Sequence, residues 1–160
     1  MEIKEINAQH YEQVKDLLVE LQKFIIQIDK YNLHILSKEY REKYFDYMLK
    51  DCKENQGKVF VSIDNEKVVG MISGFIVSYD ERDKLDYSCP KKGMITELIV
   101  TKDCRSEGIG AKLLQKMEWY FKKMDCDFCK IDVFAYNEQG KRFYYKNGYE
   151  DVVVTVLKKL

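Results

Sequence analysis

Apolar residues fall at Val14, Leu17, Leu18, Leu21, Ile25 and Ile28. Steps of three and four keep to one face of a helix, so the spacing predicts a helix over this stretch. "KYNLHIL" interrupts it. Ser37 can cap a second helix, with Tyr40, Tyr44, Tyr47 and Met48 along one side. The period then changes. "KVFVSI" and "KVVGMISGFIV" flank "DNE" and read as two antiparallel strands joined by a tight turn at Asp64-Asn65. A polar stretch, 78–92, holds the single proline, Pro90. A strand follows over 93–100, then a short polar loop. Leu113, Leu114, Met117, Phe121 and Met124 restore helical spacing between Ile109 and Met124. "FCKIDVF" reads as a strand. Asn137 begins a short helix that stops at Asn147-Gly148. "YEDVVVTVL" reads as a last strand, and Ile3–Ile6 as a weak first one. The order β-α-α-β-β-β-α-β-α-β predicts an α+β domain with a mixed, mostly antiparallel sheet.

Composition narrows the class. The chain has 160 residues, which suits a single domain over 1–160. It is 46% hydrophobic, too apolar for a disordered chain. Lys and Arg number 27, matching the 27 Asp and Glu. That balance gives no net pull toward nucleic acid or an anionic membrane, so neither is expected as a partner. No apolar run is long enough to span a bilayer, and "MEIKEINAQH" is too polar for a signal peptide. A cytoplasmic protein, monomer or homodimer, is the expectation. Five cysteines then read as reduced thiols. Cys126 and Cys129 form a C-x-x-C, but no second pair has zinc spacing, so no metal is expected.

The loop between the 93–100 strand and the next helix is the first candidate for chemistry. It reads Arg105-Ser106-Glu107-Gly108-Ile109-Gly110-Ala111. A helix N-terminus carries amides without intrahelical partners and a partly positive dipole end. Glycines there let backbone approach a bulky anion, which makes a phosphate site. The loop is not a P-loop, and Leu113 stands where the dinucleotide fingerprint has its third glycine. An ordinary glycine-capped turn is the alternative.

A second stretch bears on that choice. Arg105-x-x-Gly108-x-Gly110 resembles the pyrophosphate loop, R/Q-x-x-G-x-G/A, of the GNAT superfamily of acyl-CoA-dependent N-acyltransferases. Asn137-x-x-Gly140-x-x-Phe143-Tyr144-x-Lys146-x-Gly148-Tyr149 resembles that family's second motif, with Gly140 for a usual Ala and Tyr149 for Phe. The element order is also similar, from residue 2 to 157. The resemblance implies a GNAT-like fold. It implies acetyl-CoA as acyl donor, held at its diphosphate by residues 105–111 and along its arm by Asn137 and Tyr144. It also implies that the strand around Leu98, Ile99 and Val100 splays from its neighbour and pairs with pantetheine. Where the family commonly ends in two strands, residues 149–160 have room for one, or two very short ones.

Acetylation of an amine needs a base for the ammonium proton and an acid for the leaving thiolate. Asn137 and Tyr144, seven apart, share a helix face. Given the motif, Tyr144 is the candidate acid, because a phenol stays protonated at neutral pH. Glu97 is the candidate base. By strict alternation it shares a side with Ile95 and Ile99, where a buried carboxylate would have a raised pKa. An ion pair or a half-exposed position is the alternative for it. The resemblance also makes the link between the first two helices an acceptor-lining segment, which marks Tyr31 and His34. The expected reaction is direct transfer to a primary amine, on a small molecule or a peptide. A noncatalytic acyl-CoA-binding module, or an interaction domain without cofactor, would need neither Tyr144 nor Glu97.

Overall fold

The computed structural model describes residues 1–160. Its elements are β1 (Glu2–Glu5), α1 (Tyr11–Ile28), α2 (Tyr40–Glu54), β2 (Lys58–Asp64), β3 (Lys67–Ile76), β4 (Lys92–Val100), α3 (Ile109–Lys123), β5 (Phe128–Ile131) and α4 (Glu138–Lys146). Five strands form one sheet in the order β1-β2-β3-β4-β5. Every pairing is antiparallel except β4 with β5, which α3 connects as a parallel crossover. The mixed sheet and its helices are those the periodicity predicts.

Each face of the sheet has its own core. On one face α1 and α2 bury Val14, Leu17, Leu18, Phe45 and Met48 against Val59, Val61, Met71 and Ile99. On the other, Ile109, Leu113, Leu114, Met117 and Phe121 of α3 pack on Phe60, Val69, Ile72 and Ile95, and Tyr144 of α4 joins them. Each fully buried side chain of this kind contributes about 1.5–3 kcal/mol. Both faces being covered explains why β3 reads as an almost unbroken apolar run.

Local differences from the expected pattern have local causes. Ser37 does not cap α2 with its side chain. The helix begins at Tyr40 after a turn closed by Tyr40 N–H to the Ser37 carbonyl, 3.2 Å. The β2–β3 turn centres on Asn65 and Glu66, both left-handed (φ 45° and 65°), as a two-residue hairpin requires. β5 stops at Ile131 rather than Phe134.

The last strand is not formed. Residues 150–160 carry no secondary structure and are all exposed. β propensity acts through pairing partners, and here the segment pairs with no strand.

Candidate active site

The site is laid out along β4. Its N-terminal half pairs on both sides, with Lys92–Ile95 matched to Phe128–Ile131 of β5. Beyond Ile95 the pairing to β5 ends, while pairing to β3 continues as far as Val100. One backbone edge of Leu98, Ile99 and Val100 therefore lacks a strand partner. The Val100 carbonyl accepts from Arg105 Nε, 3.0 Å. Arg105 Nη2 also lies 3.6 Å from Glu20 of α1, so this arginine ties the loop to the strand end and to α1.

The loop itself turns on two left-handed residues, Ser106 (φ 68°) and Gly108 (φ 78°), with Ser106 and Glu107 exposed. Gly108 is the N-cap of α3 and no side chain caps the helix. The helix bonding begins with Lys112 N–H to the Gly108 carbonyl, 3.1 Å. The amides of Ile109, Gly110 and Ala111 precede it in the first turn, free for an outside acceptor. A Cβ on Gly108 would meet nothing, so backbone angle and not space selects glycine there. A Cβ on Gly110 would sit 3.5 Å from the Phe143 ring, an ordinary contact.

Asn137 caps α4, its Oδ1 accepting from Gly140 N–H at 2.8 Å. A Cβ on Gly140 would come within 2.5 Å of the Asn137 side-chain amide. Glycine in place of the family's usual Ala thus leaves room for this cap. Tyr144 follows on the same helix, 8% exposed, its ring between Phe143 and Tyr149 at centroid distances of 5.1 and 5.7 Å. Its hydroxyl has no hydrogen-bond partner in the protein. Burial, reinforced by the nearby Glu97 charge, pushes its pKa upward, so the phenol holds its proton.

Glu97 departs from the expected alternation. Ser73 of β3 pairs with Glu97, but Gly74 pairs with Ile95, so Thr96 is an extra residue in β4. This bulge turns Glu97 onto the α1/α2 face with Ile99, whereas Ile95 joins the α3 face. Thr96 Oγ1 is 2.7 Å from Ser73 Oγ, which fixes the bulge. Glu97 is 9% exposed. Tyr44 donates its hydroxyl to Glu97 Oε1, and Tyr40 stacks on Tyr44 at 4.6 Å and 14°. Burial raises the Glu97 carboxyl to about 6, with the Tyr44 hydrogen bond pulling the other way. Glu97 opens on a cavity of about 100 Å³ walled by Tyr44, Tyr47, Asp51, Phe75 and Thr96.

Tyr31 and His34 do not line this cavity. Tyr31 faces a separate, wider cleft between residues 30–33 and 157–159. His34 Nδ1 bonds Asp29 Oδ2 at 2.7 Å, and its ring packs edge-on against Phe134 just past β5, 4.9 Å between centroids. The Asp29 carboxylate also accepts the N–H groups of Tyr31, Leu33 and His34, which gives the α1–α2 link a fixed shape. His34 and these amides hold the Asp29 carboxyl well below the usual range. Sequence reasoning missed Tyr44, Tyr47 and Thr96. Three tyrosines spaced four and three apart on α2 were the available signal, since the hydroxyl of a half-buried tyrosine such as Tyr44 needs a partner.

β4 thus parts from β5 after Ile95, a glycine-turned helix start follows its end, and Glu97 and Tyr144 are both buried beside it. The chain belongs to the GNAT acetyltransferase family, whose model matches residues 25–149. It is 34% identical over 86 residues to an uncharacterized N-acetyltransferase of Methanocaldococcus jannaschii, covering 53% of this chain and 50% of that protein. The chain thus spans about half the length of that curated relative. Its fold matches a Bacillus halodurans protein solved as a point mutant, at a TM-score of 0.86 and 21% identity over 100% of this chain and 99% of that one. It also matches an aminoglycoside N-acetyltransferase solved with coenzyme A, at 0.71 and 12% identity over 99% and 98% of the two chains. No helix is long and apolar enough to cross a membrane.

Proposed function

We propose that this protein transfers an acetyl group from acetyl-CoA to a primary amine by direct attack in a ternary complex. The single observation that carries the reading is the parting of β4 from β5 after Ile95, with Tyr144 buried on the α3 side of the sheet and Glu97 on the α2 side. On one side stands Tyr144, protonated and without a hydrogen-bond partner; on the other, Glu97, half-ionised near pH 6. The free amides of residues 109–111 suit a diphosphate, and the open edge of Leu98–Val100 suits the amide-bearing pantetheine arm. Asn137 is a helix cap in this arrangement and keeps its second role only through its side-chain amino group.

Glu97 takes the proton of the ammonium, through water where needed. The amine nitrogen attacks the thioester carbonyl and forms the new C–N bond. The C–S bond breaks and the sulfur leaves with the Tyr144 proton, while the proton shed by the nitrogen as it becomes an amide passes through water to the Tyr144 phenolate and restores the phenol. In this reading an amide on the unpaired β4 edge donates to the oxyanion. The cavity at Glu97 holds little more than three waters' worth of space at about 30 Å³ each. Its aromatic walls and two carboxylates favour an ammonium on a slim methylene chain over a bulky ring.

A thiol-release screen of acetyl-CoA against a panel of amines tests the reading. Linear primary amines should be the best acceptors. Coenzyme A binding with no release for any amine would instead make the protein a noncatalytic acyl-CoA-binding module.

A further inference from the structure

The cavity at Glu97 holds a second carboxylate that takes no part in the acetyl-transfer steps. Asp51 of α2 lines it together with Tyr44 and Tyr47. These three are spaced three and four apart, so they share a helix face. The Tyr44 hydroxyl meets Glu97, which puts that carboxylate at the Tyr44 end of the cavity. Asp51 lies two helical turns further on, roughly 10 Å along α2.

The two ends differ in setting. Glu97 is 9% exposed, and Tyr44 bonds only its Oε1, leaving Oε2 without a partner in the protein. Asp51 and Tyr47 are exposed, at the mouth. The Asp51 carboxylate has no ion pair, since the adjacent Lys50 pairs with Glu54 at 3.8 Å. Asn55 uses only the Asp51 carbonyl. No lysine, arginine or histidine lines the cavity. Burial, then the Glu97 charge and more weakly that of Asp51, raise the Tyr44 phenol pKa, so both carboxylates act on one hydroxyl.

Two unpaired negative charges on one aromatic-walled cavity set a requirement. A single ammonium cannot sit at both ends. Two ammonium groups joined by methylenes can, with the chain lying along Tyr44, Tyr47 and Phe75, whose rings suit both apolar and cationic groups. We infer that this cavity is a site for a short α,ω-diamine, with one nitrogen at Glu97 and the second ammonium held by Asp51. The part of that ligand as acetyl acceptor rests on the transfer reading above. The nitrogen at Glu97 then gains the acetyl group, the C–S bond breaks, and coenzyme A leaves as the thiol. Glu97 passes the ammonium proton to water, and the second ammonium is unchanged. The product carries an uncharged amide at one end. Turned round, it would set that amide against Asp51 and lose the pairing, so the diamine is acetylated once.

Thiol release from acetyl-CoA with 1,4-diaminobutane, n-butylamine and 4-aminobutanoate tests this. kcat/KM should be about tenfold higher for the diamine than for butylamine, through KM, and the monoacetylated product should accumulate. Asp51→Asn should bring that ratio close to one. Asp51→Lys should reverse the preference toward 4-aminobutanoate, a gain that damage to the fold would not produce. Titration of 1,4-diaminobutane into the protein saturated with coenzyme A separates the site from the chemistry. Binding that weakens about tenfold in Asp51→Asn, with no amine acetylated, keeps the diamine site and overturns only the transfer reading. Equal kcat/KM for the diamine and butylamine, or diamine binding indifferent to Asp51, overturns the proposal.

Discussion

On the α3 side of β4 the chain offers backbone to a ligand: the amides of residues 109–111 and the unpaired edge of Leu98–Val100. On the α2 side it offers side chains brought from three elements: Glu97 and Thr96 of β4, Tyr44 and Tyr47 of α2, and Phe75 of β3. The first kind of site needs particular backbone angles at consecutive positions, as at Ser106 and Gly108. The second needs convergence across the fold. A backbone site writes itself into a short contiguous stretch of sequence. A convergent site does not.

The variants that break this comparison most strongly lie at its border. Tyr144→Phe should keep coenzyme A affinity but lower kcat by about 10²–10⁴ where thiolate protonation limits turnover. Steady-state rates with a good acceptor, alongside isothermal titration with coenzyme A, check it. On the backbone side, Gly108→Val forces a β-branched residue into φ 78°. It should weaken coenzyme A binding by about 10²-fold and remove most of the roughly 2.7 kcal/mol of stabilisation expected at a hundredfold excess of ligand. A melt with and without ligand reads this directly.

On the side-chain side, Glu97→Gln should leave coenzyme A binding unchanged and abolish the limb of the pH–rate profile that rises through about pH 6. Stability should move the opposite way. Burial raises the Glu97 pKa, so the folded state binds a proton more tightly than the unfolded one. Stability is therefore greatest below about 4.5 and falls as pH rises to about 6. At pH 7.5 the Gln variant, free of this cost, should be more stable by up to about 2 kcal/mol. Urea melts at pH 4 and 7.5 would show it; equal stability of the two proteins at both pH values would count against a buried, charged Glu97. The smallest effect belongs to Tyr44→Phe. Losing the hydroxyl removes the contact that lowers the Glu97 pKa, so the pH–rate limb should shift upward while kcat on its plateau changes only a few-fold.

The legibility of the sequence follows the same division. Heptad-like spacing in α1 and α3 marked two helices, because burying one helical face leaves a period. The loop and the α4 motif stood out because each is continuous in the chain. Glu97 was visible as a misplaced carboxylate, but its side of the sheet was not. Strict alternation assigns it to the face of Ile95, and only the pairing with β3 reveals the extra residue. Tyr44 was visible as part of a stripe and not as a hydrogen-bond donor, since its partner lies 53 positions away. The segment "VVVTVL" read as a strand from its residues alone, and in the structure it pairs with no other strand.

The bulge at Thr96 makes the relative lengths of β3 and β4 as consequential as their residues. One residue added to β3 between Ser73 and Gly74 would pair with Thr96, remove the bulge and return Ile95 and Glu97 to a common face without altering any side chain proposed for catalysis. Glu97 would be pressed into the apolar layer under α3, and Tyr44 would lose its acceptor. A one-residue difference in β3 opposite Thr96 would thus separate a chain that turns this carboxylate to the α2 side from one that does not. The length of β3 set against that of β4 is then a code for where the base points, readable by aligning two chains.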